Sequence, residues 1–199
     1  MTAYIFQQLS ERGRAEGINE TTRRRDARKW FQNAAQKVNR VNKNLMLDDR
    51  DNLVNSVDAE SIGKMYMFSY LPKHKETLPY YDMFPLVFPI DLRKDGFLGI
   101  NLHYLPPVLR AKLMNAIYQT INNDAYNDTT KLKLSYGILS NASKYRYFKP
   151  CIKQYLSAYV QSSYLNIEPT NWDSALMLPT EQFKKATKEQ VWKDSRGMI

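Results

Sequence analysis

Two apolar runs separated by Lys94-Asp95-Gly96 constrain this chain more than any other feature. On one side stands Phe84-Pro85-Leu86-Val87-Phe88-Pro89-Ile90, on the other Phe97-Leu98-Gly99-Ile100-Asn101-Leu102-His103-Tyr104-Leu105. An Asp-Gly pair tolerates the positive φ of a tight reversal, so the runs are expected to fold back as an antiparallel hairpin. Upstream, Lys64-Met65-Tyr66-Met67-Phe68-Ser69-Tyr70 has the aromatic character of a strand, and Pro72-Lys73-His74-Lys75-Glu76 reads as a turn. Pro85 and Pro89 cannot donate to a ladder, which places their segment at a sheet edge or at a bend. Short strands packed into residues 62–105 predict a small bent antiparallel sheet or a partial barrel.

The flanks read as helical. Residues 10–17 are polar, carry Gly13 and Gly17, and lack a sustained period, as expected of a loose arm. Thr21-Thr22 then caps a stripe of Ala27, Trp30, Phe31, Ala34, Val38, Val41 and Leu45 at spacings of three and four. Leu47-Asp48-Asp49-Arg50-Asp51-Asn52 is a polar connector, without the glycine and glutamate positions of a calcium loop. Pro106-Pro107 opens a helix through Leu109, Leu113, Ala116, Ile117 and Ile121. Residues 130–141 fit a short helix or a strand. A helix from Pro150 carries Ile152, Tyr155, Leu156, Tyr159 and Val160, and Pro179-Thr180 starts a last one through Phe183 and Val191. The fold class is α+β: a basic helical arm and connector over residues 1–60, then a core domain over residues 61–199. That domain comprises the sheet at 62–105 and a helical part at 106–199.

With 43% hydrophobic residues the chain can bury a core. One cysteine forms no internal disulfide, and two histidines and a cysteine do not make a zinc site of those ligands. No apolar run reaches the roughly 18–20 residues of a membrane span, and the start lacks a signal-peptide pattern. A soluble protein made in a reducing compartment is expected. Hydrolytic chemistry has few candidates. His74 lies in a lysine-rich turn, His103 in an apolar strand where a satisfied core histidine is the simpler reading, and Cys151 has no base indicated beside it. No glycine-rich phosphate loop is present. Neither enzyme activity, cofactor, metal nor small-molecule substrate is expected.

Charge is the positive signal. Lys and Arg number 29 against 20 Asp and Glu, a net +9, which attracts nucleic acid or acidic proteins. Residues 1–43 hold ten Lys/Arg against four Asp/Glu, and residues 130–165 hold six against none. Arg23, Arg24, Arg25, Arg28 and Lys29, beside Trp30, crowd the first turns of a helix, where the macrodipole disfavours cations. A solvated face is the first reading of that placement; an external anion, DNA or an acidic neighbour, is the alternative. Lys144-Tyr145-Arg146-Tyr147-Phe148-Lys149 alternates cations with rings, as single-strand binding surfaces do. Rings turned to a core or an interface are the preferred reading of it.

Several blocks match a known family. Leu78-Pro79-Tyr80-Tyr81-Asp82-Met83-Phe84-Pro85-Leu86-Val87 and Asp95-Gly96-Phe97-Leu98-Gly99-Ile100-Asn101-Leu102-His103-Tyr104-Leu105-Pro106 resemble virion proteins of contractile-tailed, myovirus-type phages. Lys149-Pro150-Cys151-Ile152-Lys153-Gln154-Tyr155-Leu156 and Trp172-Asp173-Ser174-Ala175-Leu176-Met177-Leu178-Pro179 resemble its later blocks. The resemblance spans roughly residues 62–195 and implies a non-enzymatic virion component, made in the host cytoplasm and repeated around a symmetry axis with other virion proteins. A tail or baseplate hub or wedge is the first expectation. A DNA-binding protein that contacts or protects packaged genome ends near the neck is the alternative. Tyr80, Tyr81, Phe84, Tyr104, Tyr145 and Tyr147 are candidate core or interface anchors, large apolar groups being typical of both.

Overall fold

The computed structural model describes residues 5–18, 26, 29–30, 32–34, 38, 43–47, 52–106, 109–115, 136–141 and 146–198. Its organising unit is the expected hairpin, β4 (Leu86–Arg93) against β5 (Gly96–Asn101) with Lys94 and Asp95 in the turn. The glycine carries the positive φ expected at the turn, 157° at Gly96. Among the described non-glycine residues only Lys185 has a positive φ, so Lys94 and Asp95 turn with ordinary backbone angles. Gly96 is required one step later, because a Cβ there would lie 1.9 Å from the carbonyl oxygen of Tyr155 on the adjoining strand. Its backbone angle and the close approach together select glycine.

Around the hairpin stand β1 (Leu53–Val54), β2 (Met65–Met67), β6 (Ile152–Leu156) and β7 (Tyr164–Ile167). They form one antiparallel sheet in the order β1-β7-β2-β4-β5-β6. β4 is therefore an inner strand, and Pro89 sits in it at a bend. β2 pairs only with Leu86 and Val87, and the register against β5 slips between Pro89 and Asp91. A proline where the neighbouring strand has ended leaves no ladder acceptor unmet.

The C-terminal stretch supplies more strand than its pattern implies. Residues 146–151 form a 3-10 turn and Ile152–Leu156 form β6, where the spacing reads helix. The open edge of β5, with Gly96 and Gly99 facing it, offers a complete ladder. That pairing outweighs a local apolar period. Phe183 lies in β8 (Phe183–Lys184), which pairs with β3 (Tyr81–Asp82) as a separate two-stranded ribbon. The last helix begins only at Lys188, where the Thr187 side chain accepts from the Gln190 amide at 3.3 Å. At the other end, residues 5–15 are helical instead of a loose arm, and Leu9 is buried in the main core. Of the expected helix from Thr21 to Leu45, residues 26, 29–30, 32–34 and 43–45 are described and are helical, with Ala34 buried, whereas Val38 is described and is not helical. β1, inside the N-terminal segment, pairs with β7. Residues 109–115 and 136–141 are helical. Among the described residues no helix is long and apolar enough to cross a membrane.

Alternation along the strands divides the interior in two. Met65, Met67, Leu86, Phe88, Ile90, Ile100, Leu165 and Ile167 face the helices and form the larger core. Tyr66, Phe68, Val87, Phe97, Tyr155 and Tyr164, on the opposite face, join Tyr70 in an aromatic cluster. The chain after β6 bridges Val160 to Tyr70, and Gln161 donates to the Ser69 carbonyl at 2.8 Å before β7 pairs with β2. The sheet thereby curls around its rings without closing into a barrel. Phe68 meets Tyr155 at 5.2 Å edge-on and Tyr164 at 4.9 Å, while Phe97 stacks on Tyr155 at 5.3 Å.

A second tight point lies at Gly99, where a Cβ would fall 2.4 Å from Val87 Cγ1 and 3.2 Å from the Phe88 carbonyl oxygen. Gly99→Ala is expected to destabilise by about 1–3 kcal/mol through overpacking. Gly137→Ala, in a helix with nothing within 4 Å, is expected to be neutral or mildly stabilising. Urea denaturation of the two variants checks the contrast; equal midpoints would show that the curl gives way freely.

Candidate nucleic-acid interface

β3 and β8 carry the chemistry. In β3, Asp82 points inward and is 4% exposed. One of its oxygens accepts from the amides of Phe84 (3.1 Å) and Gln182 (3.3 Å), the other from Asn101 Nδ2 (3.1 Å) and His103 Nδ1 (2.6 Å). An ionised carboxylate only accepts, so His103 Nδ1 bears the proton, and Nε2 lies 3.0 Å from the Thr180 hydroxyl. Asp82, His103 and Thr180 have the connectivity of a hydrolase relay, yet all three are buried. Sealed in the core, they hold chain segments together, and His103 is a satisfied core histidine.

A second buried cation extends the network. Arg110 donates to the carbonyl oxygens of Leu105 (2.8 Å), Leu176 (3.2 Å) and His103 (3.3 Å), and to Glu181 Oε1 at 2.7 Å. Burial opposes ionisation of Glu181, but the Arg110 charge and then that of His103 outweigh it, holding the carboxyl at about 2. Trp192 of the last helix donates to the His103 carbonyl at 2.8 Å, and its ring lies 5.4 Å from the Arg110 guanidinium carbon. Burial pushes the Cys151 thiol up to about 12 despite Lys153 and Arg110, so it stays protonated and is no nucleophile at neutral pH. Among the described residues no group of three or more His, Cys, Asp or Glu is placed to hold a metal.

On the outer side of the same ribbon lies a lysine-rich face. Tyr81 pairs with Lys184 across the ribbon, and since Asp82 and Phe183 turn inward, these two side chains turn outward. The next residue, Lys185, adopts φ 69°, and its Nζ donates to the carbonyls of Glu76 (2.8 Å) and Leu78 (3.1 Å). Those carbonyls end the turn that starts at Pro72, in which Lys75 and Leu78 donate back to Pro72 and His74. Lys185 thus ties the 72–78 turn to the ribbon. Residues 72–78 and 183–188 together hold five lysines (73, 75, 184, 185 and 188) against one acid, Glu76. Two short lysine clusters more than a hundred residues apart are thereby brought together, with the Lys188 ammonium turned to the Trp192 ring at 5.6 Å. Each half is visible in the sequence, but only the Lys185 contacts show that they meet.

The residues singled out by sequence are scattered. Arg23, Arg24, Arg25, Arg28 and Tyr145 lie outside the described residues, and Tyr147 is described only in its backbone, within a 3-10 turn. Lys29 is exposed. Trp30 is half-buried and donates to Glu16 Oε2 at 2.7 Å, so its indole is engaged with the N-terminal helix. Phe84 and Tyr104 are buried. Tyr80 packs with Tyr104 (6.0 Å) and Phe183 (6.4 Å) under the ribbon. Tyr81 is half-buried.

A family model described as phage T4 terminal DNA protecting protein matches residues 6–195. Comparison with curated proteins and with solved structures finds no match.

Glu181 provides a pH test of the buried network. Its folded pKa of about 2 lies below the ordinary 4.5, so its stabilisation is complete above pH 4.5 and is lost as pH falls toward 2. The loss amounts to roughly 3 kcal/mol. Glu181→Gln, which leaves the Arg110 charge buried without its partner, is expected to cost about 3–5 kcal/mol at neutral pH and to flatten the acid limb. Denaturation midpoints measured against pH check both; parallel limbs in the two proteins would refute the assignment.

Proposed function

The chain belongs to the family of the phage T4 terminal DNA protecting protein, and from that membership we propose that it is a non-enzymatic virion protein that occupies and shields the ends of a phage genome. The match over residues 6–195 is the observation that carries this reading. A net charge of +9 and the lysine face around β3 and β8 support it, because phosphate contacts supply most of the affinity in sequence-independent DNA binding. Made in the host cytoplasm, the protein would act in the particle, where it meets other virion proteins. Genome-end protection, the alternative in the sequence reading, is what family membership favours. The tail or baseplate placement gains no comparable support.

The arginines at positions 23, 24, 25 and 28 belong to the same proposal as a second set of phosphate contacts. A cluster of this kind adds affinity evenly over all sequences, and its removal lowers the salt slope by nearly one for each phosphate no longer neutralised.

Two measurements test the reading. Linear duplex DNA exposed to an end-dependent exonuclease is expected to survive when the protein is bound, while circular DNA exposed to an endonuclease gains no protection. Binding to the linear duplex is expected to fall steeply between about 50 and 200 mM salt. No protection at saturating protein would overturn the proposal. Replacing the four arginines together with glutamine is expected to weaken binding; unchanged affinity at every salt level would make that cluster a solvated face.

A further inference from the structure

We propose that the outer face of the β3–β8 ribbon is where DNA termini are distinguished from continuous duplex, with Tyr81 stacking on an exposed base face while Lys73, Lys75 and Lys184 hold the adjoining phosphates. The inference rests on the genome-end reading and assigns it to particular atoms. An internal base pair hides both of its faces between neighbours. A terminus or an unpaired overhang exposes one, so a ring on a firm support can tell an end from the middle. Lysines alone cannot, because phosphates look the same along the whole duplex.

Tyr81 has the placement this needs. It stands directly across the ribbon from Lys184, which puts a ring and a cation side by side, the pairing that single-strand and end-binding surfaces use. Its neighbours in the chain are turned the other way. Tyr80 packs under the ribbon against Tyr104 and Phe183, and Asp82 is locked by its four donors. The ribbon is pinned again where Met83 donates to the Gln182 carbonyl at 2.9 Å and Tyr70 donates to the Met83 carbonyl at 3.0 Å. Tyr81 is therefore carried by a rigid element, as a recognition group has to be.

Lys185 supplies the second observation. It is the one described non-glycine residue with a positive φ, a conformation that costs a lysine side chain energy. That cost is met in order to place its ammonium on the Glu76 and Leu78 carbonyls. The result is to hold the Pro72–Leu78 turn, with Lys73 and Lys75, against the strand that carries Lys184. A strained residue that assembles cations beside an outward ring makes a built surface.

The test uses the full chain with four probes: a short blunt duplex, the same duplex with an unpaired overhang, a single strand, and a covalently closed circle. The natural sequence is expected to bind the linear duplexes more tightly than the circle, and the overhang and single-strand arms show which terminus presents the preferred base face. Tyr81→Ala is expected to lower end binding roughly tenfold or more, to the level of the circle, while Tyr81→Phe retains it. Replacing Lys73, Lys75 and Lys184 with glutamine should weaken linear and circular binding alike and reduce the salt slope by nearly one per lysine. As a measurement independent of any variant, 2-aminopurine at the terminal pair is expected to change fluorescence on binding, while the same base placed centrally does not. End preference that survives Tyr81→Ala, or a silent terminal 2-aminopurine on a bound duplex, overturns this inference and leaves the genome-end reading standing. Failure of the natural protein to bind any linear DNA overturns both.

Discussion

A carboxylate withdrawn from water must find donors for its charge, and Asp82 finds four of them in three separate stretches of the chain. Its oxygens gather the Phe84 amide of the following turn, Asn101 at the end of β5, His103 just beyond it and the Gln182 amide before β8. Removing a donor at this depth leaves an uncompensated charge, which is why such a centre behaves as a unit. Through His103 the same centre reaches Thr180 by its ring and both Arg110 and Trp192 by its carbonyl. The stretch from Thr180 to Trp192 is thus tied to the end of the hairpin by polar contacts, beside the apolar packing of Phe183 and Val191.

The apolar packing itself differs between the two faces of the sheet. On the curled side of the sheet the aromatic cluster packs ring against ring, and backbone contacts are close enough that Gly96 and Gly99 have no room for a side chain. On the helical side, methionine and leucine fill an ordinary core into which Leu9, Ala34 and Met46 from the N-terminal segment are drawn. The polar centre lies toward the edge of the second region, where Tyr104 is pressed between it and the Lys153 ammonium, 4.2 Å from the ring. Burial first, and then the Asp82 carboxylate, drive the Tyr104 phenol well above its ordinary range.

Legibility in the sequence follows the range of the interactions. The hairpin is readable because its signals are local: two apolar runs, a two-residue turn and a glycine. The α+β class follows from it. Its second strand nevertheless stops at Asn101, whose side chain accepts from the His103 amide and turns Leu102–Tyr104 into a 3-10 helix where the apolar run reads strand to Leu105. β6 reads as helix because Ile152, Tyr155, Leu156, Tyr159 and Val160 repeat at helical spacing, while the reason for extension, a free edge on β5, lies more than fifty residues away. The start of the last helix is displaced because Pro179-Thr180 looks like a cap, although Thr187 followed by Gln190 is the cap actually used. His103 is legible as a core residue from its apolar neighbours. The lysine face is not, because each half is an ordinary pair of charges until Lys185 joins them.

That join has a consequence for the order in which the protein acquires its surface. A chain emerging from the ribosome exposes the arginines at positions 23–28 early and Lys73 and Lys75 soon after, but the residue that gathers the lysines follows more than a hundred positions later. A chain stalled or clipped short of Lys185 therefore carries positive charge without the arrangement that gives it direction. Only a chain synthesised past Lys185 can hold the 72–78 turn against the ribbon, so the two lysine clusters stay apart until the second ribbon strand is in place.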